Sequence, residues 1–257
     1  MTVSTEPRRA GRELVLELVF RPLSNALAPP LLRAGVPPTV VVLANAATGL
    51  AAALLLARGE LVAAAVLLQV KTLLDNTDGQ LARAGGRVTL AGRYLDTIAD
   101  LIVNAAVFAA LGYVTGQPIL AGAGFVALTL VLAADFNATE LYREAHGTPT
   151  PQPAPTGRWA ERLLASAYAV VFAPLDRALR WIAARRFAGK GMYDRVTVTV
   201  LANLGLSTQL VVLGLCLVLA APSGYLWFAL ACLAALVPLQ LRAEREARQT
   251  APRSVTR

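Results

Sequence analysis

The sequence predicts an all-α integral membrane protein, a six-transmembrane helix bundle with an N-terminal interfacial amphipathic helix. Hydrophobic residues make up 56% of the chain and charged residues only 16%. The apolar residues fall in blocks of about 20, the length that crosses a bilayer core. Cations collect in alternate connections between these blocks, as the positive-inside rule requires. Together these observations exclude an ordinary soluble domain.

Six apolar runs are long enough to be membrane helices, and they define a domain over residues 37–243. The predicted spans are Thr39–Ala57, Leu61–Leu81, Leu90–Tyr113, Ile119–Tyr142, Val198–Ala220 and Tyr225–Leu241. The links ARGE, VTGQP and APSG on one side are short, so they predict antiparallel helix hairpins.

Residues 1–36 precede the first span and divide into two parts. MTVSTEPRRAGRE is polar and of mixed charge, which predicts a disordered tail rather than a signal peptide. ELVLELVFRPLSNALAPPLLRAG combines an apolar stripe with polar positions. It predicts one or two short interfacial helices, interrupted by Pro22 and by the pair Pro29 and Pro30.

The long connection at about 143–197 is predicted to lie on the cytoplasmic side. Its segment GTPTPQPAPTG is rich in proline and is expected to be flexible. The segment that follows is helical in pattern, but its apolar run Leu163–Leu175 is too short to cross a membrane. We therefore expect an interfacial amphipathic helix that is broken by Pro174.

The net charge of +8 is distributed as in a membrane protein rather than a nucleic-acid-binding protein. Arginines precede the first span, fill the second and fourth connections and follow the sixth span. This places both termini, including the tail at 244–257, in the cytoplasm, and the protein in the inner or plasma membrane. We expect no nucleic acid partner.

The stretch LLDNTDGQLARAGGRVTLAGRYLDTIADLIVN places four aspartates at the cytoplasmic ends of two predicted helices. Asp75 and Asp78 are three residues apart, and Asp96 and Asp100 are four apart, so each pair shares a helix face. The RAGGR segment between them provides a turn. The four carboxylates are therefore expected to meet across a helical hairpin.

Four bare carboxylates would repel one another, whereas one or two divalent cations would neutralise them. An all-oxygen site favours Mg²⁺ or Mn²⁺ and admits Ca²⁺, while zinc would require histidine or cysteine. The single histidine, His146, lies outside the pattern. Gly79 and Ala82 allow a close backbone approach, and Arg83 offers a fork for a diphosphate. The pattern predicts a metal-diphosphate site, with two metal ions expected.

The spacing D-x2-D-G-x2-A-R-x8-G-x3-D-x3-D resembles the signature of the CDP-alcohol phosphotransferases, also called CDP-alcohol phosphatidyltransferases. The resemblance implies an enzyme of phospholipid biosynthesis that cleaves a CDP-alcohol, with CDP-diacylglycerol as the expected donor. It would release CMP and transfer the phosphoalcohol to an acceptor hydroxyl. The resemblance also implies a homodimer whose site opens to the cytoplasm and to lipid.

Residue roles follow from the resemblance position by position. The implied metal ligands are Asp75, Asp78, Asp96 and Asp100. Asp100 would also be the catalytic general base. The implied CDP-binding residues are Asp78, Gly79, Ala82, Arg83 and Gly92.

Three positions depart from the family pattern. Where relatives often have Asn and Thr at the start of the first span, this chain has Thr39 and Val42. Where enzymes for phosphorylated acceptors often have Lys or Arg after the last aspartate, it has Leu101, which disfavours glycerol phosphate and inositol phosphate.

Polar residues also occur elsewhere in the spans. Lys71, one turn before Asp75, would pair with that aspartate or simply reduce the local negative charge. We expect Asn45 and Asn203 to be interhelical hydrogen-bond partners.

Other functions remain open at this stage. The same chemistry with a CDP-linked small headgroup and a lipid acceptor is one. An intramembrane Mg²⁺-dependent prenyltransferase is another. Such enzymes usually have two aspartate motifs on non-adjacent helices, whereas both aspartate pairs here lie on one predicted hairpin. An ion-coupled transporter would use intramembrane carboxylates, but we expect no paired broken helices here. A relative retained only for binding is disfavoured because every motif position is filled.

Overall fold

The structure is a computed structural model that describes residues 11–150, 153, 159–187 and 193–250. The predicted N-terminal tail up to residue 10, most of the proline-rich segment and the end of the C-terminal tail lie outside the described residues. Within these residues the fold is helical and contains no strand. The helices are α1 (Arg21–Arg33), α2 (Pro38–Ala57), α3 (Leu61–Ala84), α4 (Leu90–Thr115), α5 (Pro118–Ala145), α6 (Trp159–Phe187), α7 (Arg195–Ala202), α8 (Leu206–Val218) and α9 (Pro222–Thr250).

The helices pack around an apolar core in the middle of the bundle. α2 lies against α3 and α4, α3 also contacts α8, and α5 lies against α9. Fully buried leucines from five helices form the centre of this core: Leu56, Leu68, Leu111, Leu213 and Leu226. Large apolar side chains such as Leu54, Ile119 and Leu215 face outward, as expected for helices surrounded by lipid.

Among the residues that the structure describes, five helical segments are long and apolar enough to cross a membrane: Pro38–Ala57, Leu90–Thr115, Pro118–Ala145, Arg195–Val218 and Pro222–Glu246. The predicted span Leu61–Leu81 does form a helix, α3, but it is not among these five. It carries Lys71, Asp75 and Asp78, which lower its apolar character. The six-span count is therefore not confirmed, and the crossing of α3 stays a prediction.

The predicted fifth span, Val198–Ala220, is not one continuous helix. It divides into α7 and α8 because Asn203, Leu204 and Gly205 leave the helical conformation. The N-terminal segment contacts the chain at this break. The Asn203 side chain donates a hydrogen bond to the Arg12 carbonyl at 2.6 Å and accepts one from the Leu14 N–H at 2.9 Å. The expected partner role of Asn203 is thus met by this segment rather than by a neighbouring span.

The prolines before the first span do not interrupt the helix, contrary to the sequence prediction. A π-helical turn, Leu16–Phe20, runs directly into α1, where Pro22 occupies the first turn. Pro29 and Pro30 lie inside the last turns, and the Ala34 N–H still donates to the Pro30 carbonyl at 3.0 Å. The segment packs against α3, while its place at the membrane interface stays a prediction.

The described part of the long connection contains the helix α6, which runs through Pro174, so the predicted break there is wrong. α6 lies along α4 and α5. Asp176 accepts hydrogen bonds from Asn137 and from the Tyr168 hydroxyl, both at 2.9 Å, and the Tyr168 ring lies 5.0 Å from that of Tyr94. These contacts fix α6 to its neighbours on both sides of Pro174.

The predicted turn between the two aspartate-bearing helices is confirmed. α3 ends at Ala84, and Gly86 has a φ of +61°, a left-handed conformation that favours glycine. The Thr89 side chain then caps α4 by accepting a hydrogen bond from the Gly92 N–H at 3.1 Å. This short connection brings the carboxylates of α3 and α4 to the same end of the bundle.

Candidate active site

Three of the four aspartates meet between α3 and α4. Oxygen atoms of Asp75, Asp78 and Asp96 all lie within 4.8 Å of one another. The i, i+3 spacing turns the first two toward α4, and the hairpin brings the third opposite them. This cluster is hereafter called the carboxylate triad.

The carboxylate triad fits a hard divalent cation. Asp78 is 6% exposed and its Oδ2 atom has no hydrogen-bond partner, and the buried Oδ1 atom of Asp96 also has none. A buried carboxylate oxygen without a donor is costly, and a bound cation would remove that cost. All the donors are oxygen atoms, the ligands that Mg²⁺ and Mn²⁺ prefer. His146 is not part of the cluster, since its Nδ1 atom lies 2.8 Å from the Tyr142 carbonyl at the end of α5.

The fourth aspartate, Asp100, is held by a lysine instead. Lys71 is fully buried, and its ammonium donates a hydrogen bond to Asp100 Oδ1 at 2.7 Å. The same Nζ atom lies 3.9 Å from Asp75 Oδ1. Lys71 therefore links the carboxylate triad to Asp100, and its nearer partner is on α4, not the aspartate one turn along its own helix.

The predicted role of Asn45 as an interhelical hydrogen-bond partner is confirmed. Its side-chain amide donates from α2 to Asp75 Oδ1 at 3.1 Å. Gly49, one turn further along α2, was not singled out from the sequence. A Cβ atom at Gly49 would lie 2.4 Å from Val103 Cγ1 and 3.3 Å from Lys71 Cδ, so glycine lets α2 pack closely against Val103 on α4, beside the lysine. A glycine in an alanine-rich span was the available signal.

A cavity of about 1090 Å³ opens beside the carboxylate triad. Its wall includes most of the predicted site residues: Asp78, Gly79, Ala82, Arg83, Gly92 and Asp96. Asp75 and Asp100 are not on this wall; each lies about one helical turn further from the hairpin turn than Asp78 and Asp96 respectively. Thr39 and Val42, the two departures at the start of α2, also line the cavity.

Arg83 lies directly over Gly79 on α3. A Cβ atom at Gly79 would be 3.2 Å from the Arg83 guanidinium, so the glycine leaves the space that this side chain uses. Gly92 serves the α4 cap, since a Cβ there would lie 3.0 Å from Thr89 Oγ1. Its predicted role beside a nucleotide stays a prediction.

Part of the cavity wall comes from α5. Asp135, Thr139 and Arg143 are four residues apart and line the cavity. Arg143 is paired with Glu140 at 3.3 Å. Arg87 and Arg93 add positive charge on the α4 side of the cavity mouth. The cavity thus offers carboxylates at its base and guanidinium groups around them, which suits a metal-bound phosphate compound.

Comparison with known proteins decides between the families that this geometry allows. The model of one family, described as CDP-alcohol phosphatidyltransferase, matches residues 35–237. The chain belongs to the CDP-alcohol phosphatidyltransferase family. This match confirms the resemblance carried by the aspartate motif. Members of the family are transferases of substituted phosphate groups and depend in general on a divalent metal.

Two curated relatives are similar to part of the chain. A phosphatidylinositol phosphate synthase of Mycobacteroides abscessus is 39% identical over 93 residues, which is 36% of this chain and 42% of the relative. A phosphatidylinositol phosphate synthase of Mycolicibacterium smegmatis is 37% identical over 99 residues, 38% of this chain and 45% of the relative. The chain thus spans less than half the length of each relative. No solved structure matches the chain.

Proposed function

We propose that the protein is a membrane transferase that cleaves a CDP-alcohol and transfers the phosphoalcohol to an acceptor hydroxyl, with release of CMP. The observation that carries this proposal is the carboxylate triad, whose oxygen atoms lie within 4.8 Å of one another and of which Asp78 and Asp96 line the same cavity as Arg83. Membership of the CDP-alcohol phosphatidyltransferase family supports the reaction class.

Each residue has a distinct task in this reaction. Asp75, Asp78 and Asp96 would hold Mg²⁺ or Mn²⁺, which when bound supplies charge stabilisation at the diphosphate. Arg83 binds the phosphate of the leaving CMP and offsets the charge that develops there. Gly79 and Ala82 let the diphosphate approach the α3 backbone closely.

The bond changes are those of a displacement at phosphorus. The acceptor oxygen forms a bond to the phosphorus that carries the alcohol, while the bond from that phosphorus to the bridging oxygen breaks. CMP leaves with the bridging oxygen. Asp100 takes the proton of the acceptor hydroxyl, since its side chain is 21% exposed and is fixed in place by Lys71.

CDP-diacylglycerol is the donor we propose. The two relatives are named for making phosphatidylinositol phosphate, so their names join a phosphatidyl group to an inositol phosphate. Apolar side chains on the outer faces of the helices suit a lipid-borne donor. Because of these names, inositol phosphate is one of the acceptors to be tested. It is included although Leu101, which follows the last aspartate, disfavours a phosphorylated acceptor. Cytoplasmic orientation and the homodimer expected from the family are further parts of this proposal.

The test is CMP release by the purified protein in lipid vesicles. CDP-diacylglycerol, Mg²⁺ and one acceptor at a time are supplied: inositol phosphate, glycerol phosphate, inositol or serine. We expect CMP with one acceptor, loss of activity on chelation and recovery with Mg²⁺ or Mn²⁺. Asp78→Asn should abolish release, whereas Glu60→Gln, which removes an exposed carboxylate at the other end of α3, should retain it.

Two outcomes would redirect the proposal. CMP release only from a CDP-linked small headgroup with a lipid acceptor would reverse the donor and keep the chemistry. The proposed function would be contradicted if the protein released no CMP from either class of donor. The Glu60→Gln variant, which should fold identically, must then be inactive as well.

A further inference from the structure

We propose that Lys71 is a built-in cation that takes the place of a second metal ion, so that the site binds one divalent cation at the carboxylate triad. This inference rests on the proposed function, because it takes the carboxylate triad as the metal site. It replaces the sequence-based expectation of two ions and of Asp100 as a metal ligand.

The position of the ammonium is the first argument. Its Nζ atom lies 2.7 Å from Asp100 Oδ1 and 3.9 Å from Asp75 Oδ1, between these two aspartates. A second ion shared by these two carboxylates would need oxygen ligands at about 2.0–2.1 Å, in the space that the ammonium fills. The lysine and a second ion therefore exclude one another.

The burial of Lys71 is the second argument. Its side chain is 0% exposed, and Gly49 of α2 lies beside it, since a Cβ atom at Gly49 would be 3.3 Å from Lys71 Cδ. A lysine at the protein surface could swing away when a metal arrives. Here withdrawal would leave a buried ammonium without its carboxylate partners, which costs several kcal/mol in general. The ammonium is therefore a fixed part of the site.

The division of the four aspartates follows from this arrangement. The orphaned oxygen atoms of Asp78 and Asp96 point to a missing cation, whereas Asp100 already has one. Lys71 is thus a positioning residue: its ammonium holds the Asp100 carboxylate in place for proton transfer, while the carboxylate triad would hold the metal.

The test counts Mn²⁺ ions on the full-length protein in detergent by equilibrium titration and electron paramagnetic resonance. We expect one ion per chain, with the six-line spectrum of an isolated Mn²⁺ ion. Two ions per chain, or the spectrum of an exchange-coupled pair as expected for ions about 3.5–4 Å apart, would overturn the proposal.

Two aspartate variants separate the ligands from the lysine partner. Asp78→Asn removes a ligand of the carboxylate triad and should abolish binding of the single ion. Asp100→Asn should keep one ion with an affinity within about tenfold of the wild type, the smaller end of what outer-shell changes cost. Equal loss of Mn²⁺ in both variants would show that Asp100 is a ligand and would overturn the proposal.

Lys71→Met removes the ammonium and keeps the length of the side chain. The carboxylates of Asp75 and Asp100 then lack a cation, so we expect a second Mn²⁺ ion and a coupled spectrum. Arg58→Met, which removes an exposed cation at the far end of α2, should still bind one ion. A single ion in Lys71→Met would overturn the role of the lysine. Should this variant fail to fold, the wild-type count and Asp100→Asn decide.

The metal count is independent of turnover, so the two proposals can fail separately. Two ions with CMP release would leave the proposed function standing and refute this inference. One ion without CMP release from any donor would support this inference and contradict the proposed function.

Discussion

The side chain of Asn45 on α2 donates a hydrogen bond to Asp75 on α3, with 3.1 Å between Nδ2 and Oδ1. Asn45 is 1% exposed, so water cannot replace this donor when it is removed. The contact orients the first carboxylate of the triad before any ligand arrives. It explains why a polar side chain is retained within an otherwise apolar span.

Replacing Asn45 by alanine should lower CMP release by about 10- to 100-fold, the range typical of lost outer-shell partners of a metal ligand. Raising the Mg²⁺ concentration should recover part of the activity, because the metal then competes better for a loosely held Asp75. The measurement is the rate of CMP release against Mg²⁺ concentration. Thr48→Ala is the control, since Thr48 lies on the same helix, is partly exposed and donates a hydrogen bond to the Ala44 carbonyl of its own turn. Equal rates in the two variants would refute a role for Asn45.

Gly79→Ala should weaken CDP-alcohol binding rather than stability. The added Cβ would meet the Arg83 guanidinium, the flexible end of a long side chain, at 3.2 Å. Arg83 moves aside, so the KM for the donor rises while the thermal midpoint stays within a few degrees, or rises because alanine favours helix. Steady-state kinetics with a thermal scan measure both quantities. Gly122→Ala on α5, where an added Cβ meets nothing within 4 Å, should leave the KM unchanged. An unchanged KM in Gly79→Ala would contradict the placement of Arg83 at the donor.

The helix faces of the site were accessible from the sequence because they depend only on local periodicity. That Asp75 and Asp78 share a helix face follows from 3.6 residues per turn. That the chain turns at RAGGR follows from its two glycines. The structure shows both the paired face and the turn. Local rules thus predicted where the site lies.

The partners within the site were not accessible in the same way. Whether Lys71 would pair with Asp75 or with Asp100 depends on the rotation of α4 relative to α3, which no local pattern fixes. The glycine at position 49 allows the close approach of α2 to α4 beside the lysine. Such contacts link residues far apart in sequence, so they appear only when the bundle is assembled.

The helix boundaries failed where tertiary contacts override local signals. The break before Gly205 falls inside an apolar run that reads as one span, and its stabilising partner, Arg12, lies 191 residues away from Asn203. Pro174 reads as a helix breaker, yet the contacts of Asp176 with α5 and with Tyr168 keep α6 continuous.

Gly49→Ala should destabilise the bundle, since its Cβ would lie 2.4 Å from Val103 Cγ1 on α4. Overpacking of this kind costs about 1–3 kcal/mol. Val103→Ala in the same chain removes the clashing methyl groups, so the double variant should lose less stability than the two single variants summed. Thermal unfolding of the three variants in one detergent gives this coupling. Strictly additive losses would mean that the two helices do not touch as described.

Asp194 makes the stability of α7 depend on pH. Burial of this side chain opposes its ionisation. Three hydrogen bonds outweigh that effect: one from the Thr197 hydroxyl and two from the backbone N–H groups of Thr197 and Val196. Together with Arg242, which lies 3.6 Å away, they lower the pKa of Asp194 below its usual value. A lowered pKa in the folded state means that the carboxylate stabilises the protein above the unfolded pKa of about 3.9 and loses this effect as the pH falls through the folded value.

Asp194→Ala should therefore cost about 1 kcal/mol at pH 7, the typical value of a helix N-cap, and progressively less below pH 4. Thermal unfolding of the wild type and the variant from pH 7 down to the acid limit of the detergent sample measures the difference. Asp194→Asn is the matched variant, because its side-chain oxygen can still cap the helix without a charge. It should recover most of the loss at pH 7 and show a flatter pH dependence than the wild type. A constant difference between wild type and Asp194→Ala at all pH values would contradict the lowered pKa.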